Sequence, residues 1–145
     1  GVLTLNALTA VEEVFIPLQP HFFALHGLSK LLQTIDLVSS RLNNRLMLSG
    51  IILCMYDATT RLASEVSEDV DAFFRDQAGS ETPWSNAKTF ESKIRKNIRL
   101  AESPSFGKPI FEYSPKSNGA EDYLALAEEI LNTPPPQERE IRPAA

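Results

Sequence analysis

The side chains best equipped for chemistry fall in one short stretch, residues 96–110. Lys96, Asn97, Arg99 and Lys108 stand there with a single acid, Glu102. Two ammonium groups, a guanidinium and a carboxamide offer many donors and one strong acceptor, a set suited to an anionic or hydrogen-bonding ligand. Ser103, Pro104, Ser105, Gly107 and Pro109 crowd the same stretch and predict a loop rather than a helix. The run 109–113 that follows reads as an extended segment. A polar loop held between two sheet elements is where an α/β scaffold keeps its binding residues.

Other chemistry is hard to find. A nucleotide-binding α/β chain is expected to carry a Gly-rich loop between a strand and a helix, and neither G-x-x-x-x-G-K-[ST] nor G-x-G-x-x-G occurs. Asp57 follows a strand-like run and resembles a Mg²⁺ ligand, but its place before a helix reads better as a cap. His21 and His26 have no clustered Cys or carboxylate to complete a metal site. G-x-S-x-G is absent, and no Ser/His/Asp arrangement follows from spacing. The only cysteine, Cys54, sits in an apolar run. It excludes a disulfide framework or a cysteine-based zinc site, fits a reducing cytoplasm, and reads as a small core residue. The acidic runs 65–71 and 121–129 read as solvated helix faces.

The elements that must hold the polar stretch alternate in type. With 145 residues, 43% of them hydrophobic, the chain fits one domain with a modest core. A net charge of −5 means that nucleic-acid binding would need a local basic patch. Residues 3–13 read as a helix and 14–18 as a short buried strand limited by Pro17 and Pro20. Leu28, Leu31, Leu32, Ile35, Val38 and Leu42 make the stripe of a second helix. Residues 48–56 form the strongest strand, without alternation, as in a parallel sheet covered on both faces. A third helix turns Leu62, Val66, Val70, Phe73 and Phe74 inward. Residues 75–88 read as a surface loop in which Trp84 either anchors packing or makes an exposed contact. A weaker strand is expected at 89–94. The last helix has Tyr123, Leu124, Ala127, Ile130 and Leu131 as its apolar side, and Pro134, Pro135 and Pro136 follow it. The order predicts an α/β fold, a mostly parallel sheet with helices on both faces and right-handed crossovers. The domain spans 1–132, with a Pro-rich, disordered tail at 133–145. No run is long and apolar enough for a membrane span. Gly1 to Leu5 lacks an initiator Met and the basic flank of a secretion signal, and opens as a chain cut from something longer would.

The run N-I-R-L-A-E-S-P-S-F-G-K-P-I at residues 97–110 resembles the N-V-R-L-S-E-A-P-S-F-G-K-P-I segment of the ParA/Soj family of partition ATPases. Residues 112–121, E-Y-S-P-K-S-N-G-A-E, are similar to that family's E-Y-D-P-K-S-x-G-A-E. The opening G-V-L-T-L-N-A-L resembles G-L-L-T-L-N-A-L, and I-P-L-Q and A-L-H-G-L resemble I-P-V-Q and A-L-E-G-L. Apart from residues 75–88 and the tail, the likeness covers the whole chain.

The resemblance implies the C-terminal half of a deviant Walker-type P-loop ATPase for chromosome or plasmid partitioning. That family binds ATP and Mg²⁺, forms a homodimer, binds DNA without sequence preference and works with a centromere-binding ParB-like partner. It is bacterial, cytoplasmic and nucleoid-associated. The family's phosphate-binding loop and Mg²⁺-binding acids precede the segment matching Gly1, so this chain is expected to bind neither productively and to be inactive alone. Arg99 matches a DNA-binding arginine of the family. In the family's D-A-R-T-N-L segment this chain has Asp57-Ala58-Thr59-Thr60-Arg61-Leu62. Thr59 therefore stands where the family has arginine, and Arg61 is the candidate to take its place. Asn97 matches the region lining the adenine pocket, although the family's I-P-R-N is Ile94-Arg95-Lys96-Asn97 here. With the resemblance, Arg95, Lys96, Arg99 and Lys108 form the candidate DNA patch.

Two other readings compete. A membrane-associated division-site regulator of the same superfamily would need a basic amphipathic C-terminal helix, which P-P-P-Q-E-R-E at 134–140 does not supply. A non-catalytic protein-interaction module derived from a truncated relative is the alternative that the departures at Thr59 and Arg95 keep open.

Overall fold

The computed structural model describes residues 1–134. The tail expected at 133–145 is thus seen only at Thr133 and Pro134, and the rest of that expectation lies outside the described residues. Four parallel strands make the sheet: β1 (Glu13–Leu18), β2 (Met47–Tyr56), β3 (Lys88–Thr89) and β4 (Ile94–Arg95). β2 is the spine. β1 lies along it with Ile16 opposite Ile51, β3 pairs Gly50 with Lys88, and β4 pairs Cys54 with Ile94 and Tyr56 with Arg95. The helices are α1 (Val2–Ala10), α2 (Ala24–Arg41), α3 (Arg61–Asp76), α4 (Ile98–Glu102), α5 (Ile110–Tyr113) and α6 (Asn118–Asn132). The expected α/β class, with a parallel sheet between helices, is what the chain adopts.

The larger core lies between the sheet and helices α2 and α3. Ile16, Leu18, Leu48, Ile51 and Leu53 of the strands meet Leu28, Leu32, Ile35 and Val38 of α2 and Val66, Val70 and Phe74 of α3. Their three- and four-residue spacing is the amphipathic period that made these helices legible. Leu31, Leu42 and Leu62, expected inward, are exposed; Leu42 lies past the end of α2, and Leu62 at the margin of the α3 stripe. Trp84 packs against this core, and its indole N–H donates to Gln77 Oε1 at 3.3 Å.

The opposite face carries a smaller cluster of Phe90, Ile94 and Leu126, flanked by Phe15, Ile52, Cys54, Leu100 and Ile130. Phe90 lies over β2 so closely that a Cβ on Gly50 would sit 2.3 Å from its ring. Helix α6 covers this side in a rotation the sequence pattern did not foretell. Tyr123, Leu124 and Leu131 face solvent, while Gly119, Ala120, Asp122 and Leu126 are buried.

Three further expectations are corrected. The strand expected at 89–94 survives only as β3 and β4 at its ends. Between them the N–H groups of Glu91 and Ser92 donate to the Glu129 carboxylate, both at 2.8 Å, instead of to a neighbouring strand. The stretch expected as a loop is helical: α4 runs into a 3₁₀ turn at Ser103–Phe106. Asn97 caps α4, its Oδ1 accepting from the Arg99 N–H at 2.9 Å, and Pro104 falls in the first turn of the 3₁₀ segment, where a missing N–H costs nothing. The segment 109–113, read as extended, is the short helix α5, with Pro109 extended at its N-cap.

Candidate nucleotide and nucleic-acid interface

In a parallel sheet, ligands gather at the carboxyl ends of the strands. The chemistry-bearing residues emerge there, from the ends of β2 and β4. Pairing of Tyr56 with Arg95 puts the two exits side by side, and the Lys96 N–H donates to the Tyr56 carbonyl at 3.2 Å. Met55 is skipped in this pairing and takes a φ of +51°, a local bulge of the kind that re-aims the residues after it.

Asp57 follows at once. Its carboxylate accepts from the Thr59 hydroxyl at 2.6 Å and the Thr59 N–H at 3.0 Å. Those two bonds, and then the nearby Lys96 charge, hold it below the usual aspartate range. The cap expected at Asp57 falls to Thr60, whose side chain accepts from the Ala63 N–H, and Asp57 holds the turn before it. Arg61 opens α3, almost fully exposed, with its Nε 2.6 Å from Glu65.

On the β4 side, Arg95, Lys96, Asn97 and Arg99 follow in one pass from strand to helix. Asn97 spends its carboxamide oxygen on the α4 cap. Arg99 Nη1 lies 2.9 Å from Glu102 Oε2, and the Tyr113 hydroxyl donates to that same oxygen at 2.9 Å. The Tyr113 hydroxyl first, and Arg99 second, lower the Glu102 carboxyl from its ordinary value. Lys108 is exposed beyond the 3₁₀ turn.

Arg95 stands apart. Its Nε donates to Asp122 Oδ1 and Oδ2 at 3.0 and 3.1 Å, its Nη2 to Oδ1 at 2.6 Å, and its backbone N–H to Oδ2 at 2.9 Å. Glu121 adds a longer contact at 3.4 Å. The acidic run 121–129 is therefore only in part a solvated face: Asp122 and Glu129, two turns apart on α6, hold the segment 91–95 from behind. Sequence reasoning missed both, and also Lys93, whose ammonium lies 4.5 Å from the centre of the Tyr56 ring. The seven-residue spacing of Asp122 and Glu129, with apolar Leu126 between them, was the available signal.

The sequence has no Gly-rich loop from strand to helix, and among the described residues no three His, Cys or carboxylate side chains converge. No helix among the described residues is long and apolar enough to cross a membrane.

Fold and exits together define part of a P-loop NTPase-like α/β domain with a basic, hydrogen-bonding segment at the carboxyl edge of its sheet. Residues 1–48 match the AAA_31 family model, described as an AAA domain. The chain is 48% identical over 130 residues to the sporulation initiation inhibitor protein Soj of Bacillus subtilis, covering 90% of this chain and 47% of that protein. It is 45% identical over 137 residues to the chromosome partitioning protein ParA of Myxococcus xanthus, covering 94% and 44%. It is 46% identical over 131 residues to the chromosome-partitioning ATPase Soj of Treponema pallidum, covering 90% and 47%. The chain belongs to the ParA/Soj family of chromosome-partitioning ATPases, and it spans about half the length of the curated relatives it matches.

Proposed function

We propose that this chain is the C-terminal half of a ParA/Soj-type partitioning ATPase, with residues 1–132 its part of the domain, and that it contributes a sequence-independent DNA-binding surface and one wall of the adenine pocket. The observation that carries this reading is the single pass from β4 into α4. It delivers Lys96, Asn97 and Arg99 to the carboxyl edge of a parallel sheet, beside the start of α3. Arg99, Lys96, Lys108 and Arg61 serve as phosphate contacts, and Arg95 belongs to the same basic cluster. Asn97 keeps its amide N–H₂ for adenine, since its oxygen is committed to the α4 cap. The ATP phosphates and Mg²⁺ are held in the longer protein by groups outside this chain. The protein works as a homodimer on DNA with a centromere-binding ParB-like partner, in the bacterial cytoplasm on the nucleoid.

Phosphate contacts of this kind position a protein on DNA without reading its sequence. Arg99→Glu both removes a contact and adds repulsion. Binding to a random 40-base-pair duplex is expected to weaken about tenfold or more in gel shift, with no change in the circular dichroism of the chain. Equal binding by the two proteins would remove Arg99 from the surface.

A further inference from the structure

We propose that Asp122 sets how many DNA phosphates the surface engages, by withholding Arg95 from it. The inference rests on the DNA-binding reading above and adds a restraint inside it. The three arginines of the surface are each paired with a carboxylate, but the pairs differ in kind. Arg61–Glu65 and Arg99–Glu102 join residues one helical turn apart, and Glu102 keeps the Tyr113 hydroxyl as a donor when Arg99 leaves it. Such pairs contribute little and are screened by salt, so a phosphate exchanges for the carboxylate at small cost. Arg95–Asp122 joins β4 to α6 across 27 residues of chain. The Asp122 side chain is only 9% exposed, against 36% for Glu102 and 53% for Glu65.

Both Asp122 oxygens are engaged, one by the Arg95 backbone N–H as well as its guanidinium. A two-pronged guanidinium–carboxylate pair is among the stronger hydrogen-bonded arrangements. Pulling the Arg95 guanidinium away would leave a buried carboxylate with one backbone N–H and no counter-charge, which is costly. Arg95 therefore anchors the segment and does not reach phosphate, while Arg99 and Lys96, carried on the same pass of chain, do. Asp122 is in this sense a positioning residue: its carboxylate fixes the exit of β4 and removes one charge from the DNA-facing count.

Binding of the 145-residue chain to a random 40-base-pair duplex, followed by fluorescence anisotropy between 50 and 200 mM KCl, tests this. Each phosphate engaged contributes about 0.9 to the slope of log K against log salt. Asp122→Asn frees Arg95, so the slope is expected to steepen by about 0.9 and the affinity lost across that salt range to grow about threefold. Arg95→Gln alone is expected to leave the slope at the wild-type value, and the double variant to return to it. Glu128→Gln, which removes an exposed acid from the same helix, controls for net charge.

A slope unchanged or shallower in Asp122→Asn, an equal steepening in Glu128→Gln, or a loss of slope in Arg95→Gln overturns the proposal. If the wild-type chain binds no DNA at 50 mM KCl, the DNA-binding reading fails and the phosphate count fails with it. The positioning role is then decided by hydrogen exchange: Asp122→Asn must deprotect the Arg95 amide while leaving α3 amides unchanged.

Discussion

Phe90 can lie flat against β2 only because Gly50 has no side chain. A Cβ there would meet Cε2 of the ring at 2.3 Å and Cζ at 2.8 Å, well inside any contact a real Cβ makes, and Phe15, paired with Gly50 across the strands, lies 5.6 Å from the ring between centroids. The Phe90 ring must shift to admit a Cβ, so Gly50→Ala is expected to destabilise the chain by about 1–3 kcal/mol, as overpacking does. Urea denaturation should show a lower midpoint at unchanged slope, and Phe90→Leu in the same background should recover part of the loss. Gly119 repeats the arrangement on α6, where a Cβ would lie 2.5 Å from Leu100 of α4. These two glycines set how closely the polar segment and its covering helix approach. Neither stands in a turn, and one sits in a strand and the other in a helix, so their role was not visible in the sequence, where glycine in either place reads as a weakness.

Helix α6 shows what a periodic pattern can and cannot decide. Its existence was legible from its apolar residues and the prolines that follow, and the structure adds Ser117 as its cap. Its rotation was not. Tyr123, Leu124 and Leu131 look like an apolar side, yet α6 turns Asp122 and Leu126 to the sheet because its carboxylates have partners there that only the fold supplies. The same cause hid the end of the strand at 89–94, since Glu129 draws its N–H groups out of the ladder. Burial opposes the charge on Glu129, but the donors at Ser92 and Glu91 outweigh it, and the carboxyl titrates below its ordinary value of 4.5. The ionised form makes these bonds. Their contribution is therefore complete above the ordinary value and is lost as pH falls through the lower folded one. The Glu91 and Ser92 amides should lose protection in hydrogen exchange, corrected for intrinsic rates, as the pH drops below about 4.5. In Glu129→Gln the protection should be weaker at neutral pH and nearly independent of pH across that range. Equal pH dependence in both proteins would remove the carboxylate from the attachment of α6.

On the scale of the molecule, the two faces of the sheet are unequal, and so are its edges. Helices α2 and α3 bury one face almost completely. Among the described residues the other is covered by α6, with Leu100 of α4 beside it, and Phe15, Ile52 and Cys54 are only partly shielded. Among the described residues β1 pairs with β2 and nothing else, which leaves its outer N–H and C=O groups open, the feature from which strand-to-strand association begins. Beside it stands α1, nine residues without a charge and without one buried side chain. It is tethered at its end by Asn43, whose Nδ2 donates to the Leu8 and Val11 carbonyls at 3.0 and 2.6 Å. Apolar side chains of such a helix are ordinarily buried, yet Val2 and Leu3 are 74% and 83% exposed. The apolar side chains that α1 exposes and the open edge of β1 are surface that the hydrophobic effect favours covering with a second copy. In sedimentation velocity the chain should show a mass that climbs with concentration. Leu3→Glu should shift it toward monomer with no loss in the thermal midpoint, because Leu3 contributes almost no burial to the folded monomer. The charge lies on α1, so weakened association in this variant would place the contact there. If Leu3→Glu associates as the parent does, the contact lies elsewhere, and a lysine at the solvent-facing Pro17 of β1 becomes the variant expected to break it. A chain that stays monomeric at every concentration would mean that α1 and the β1 edge can both face water without cost.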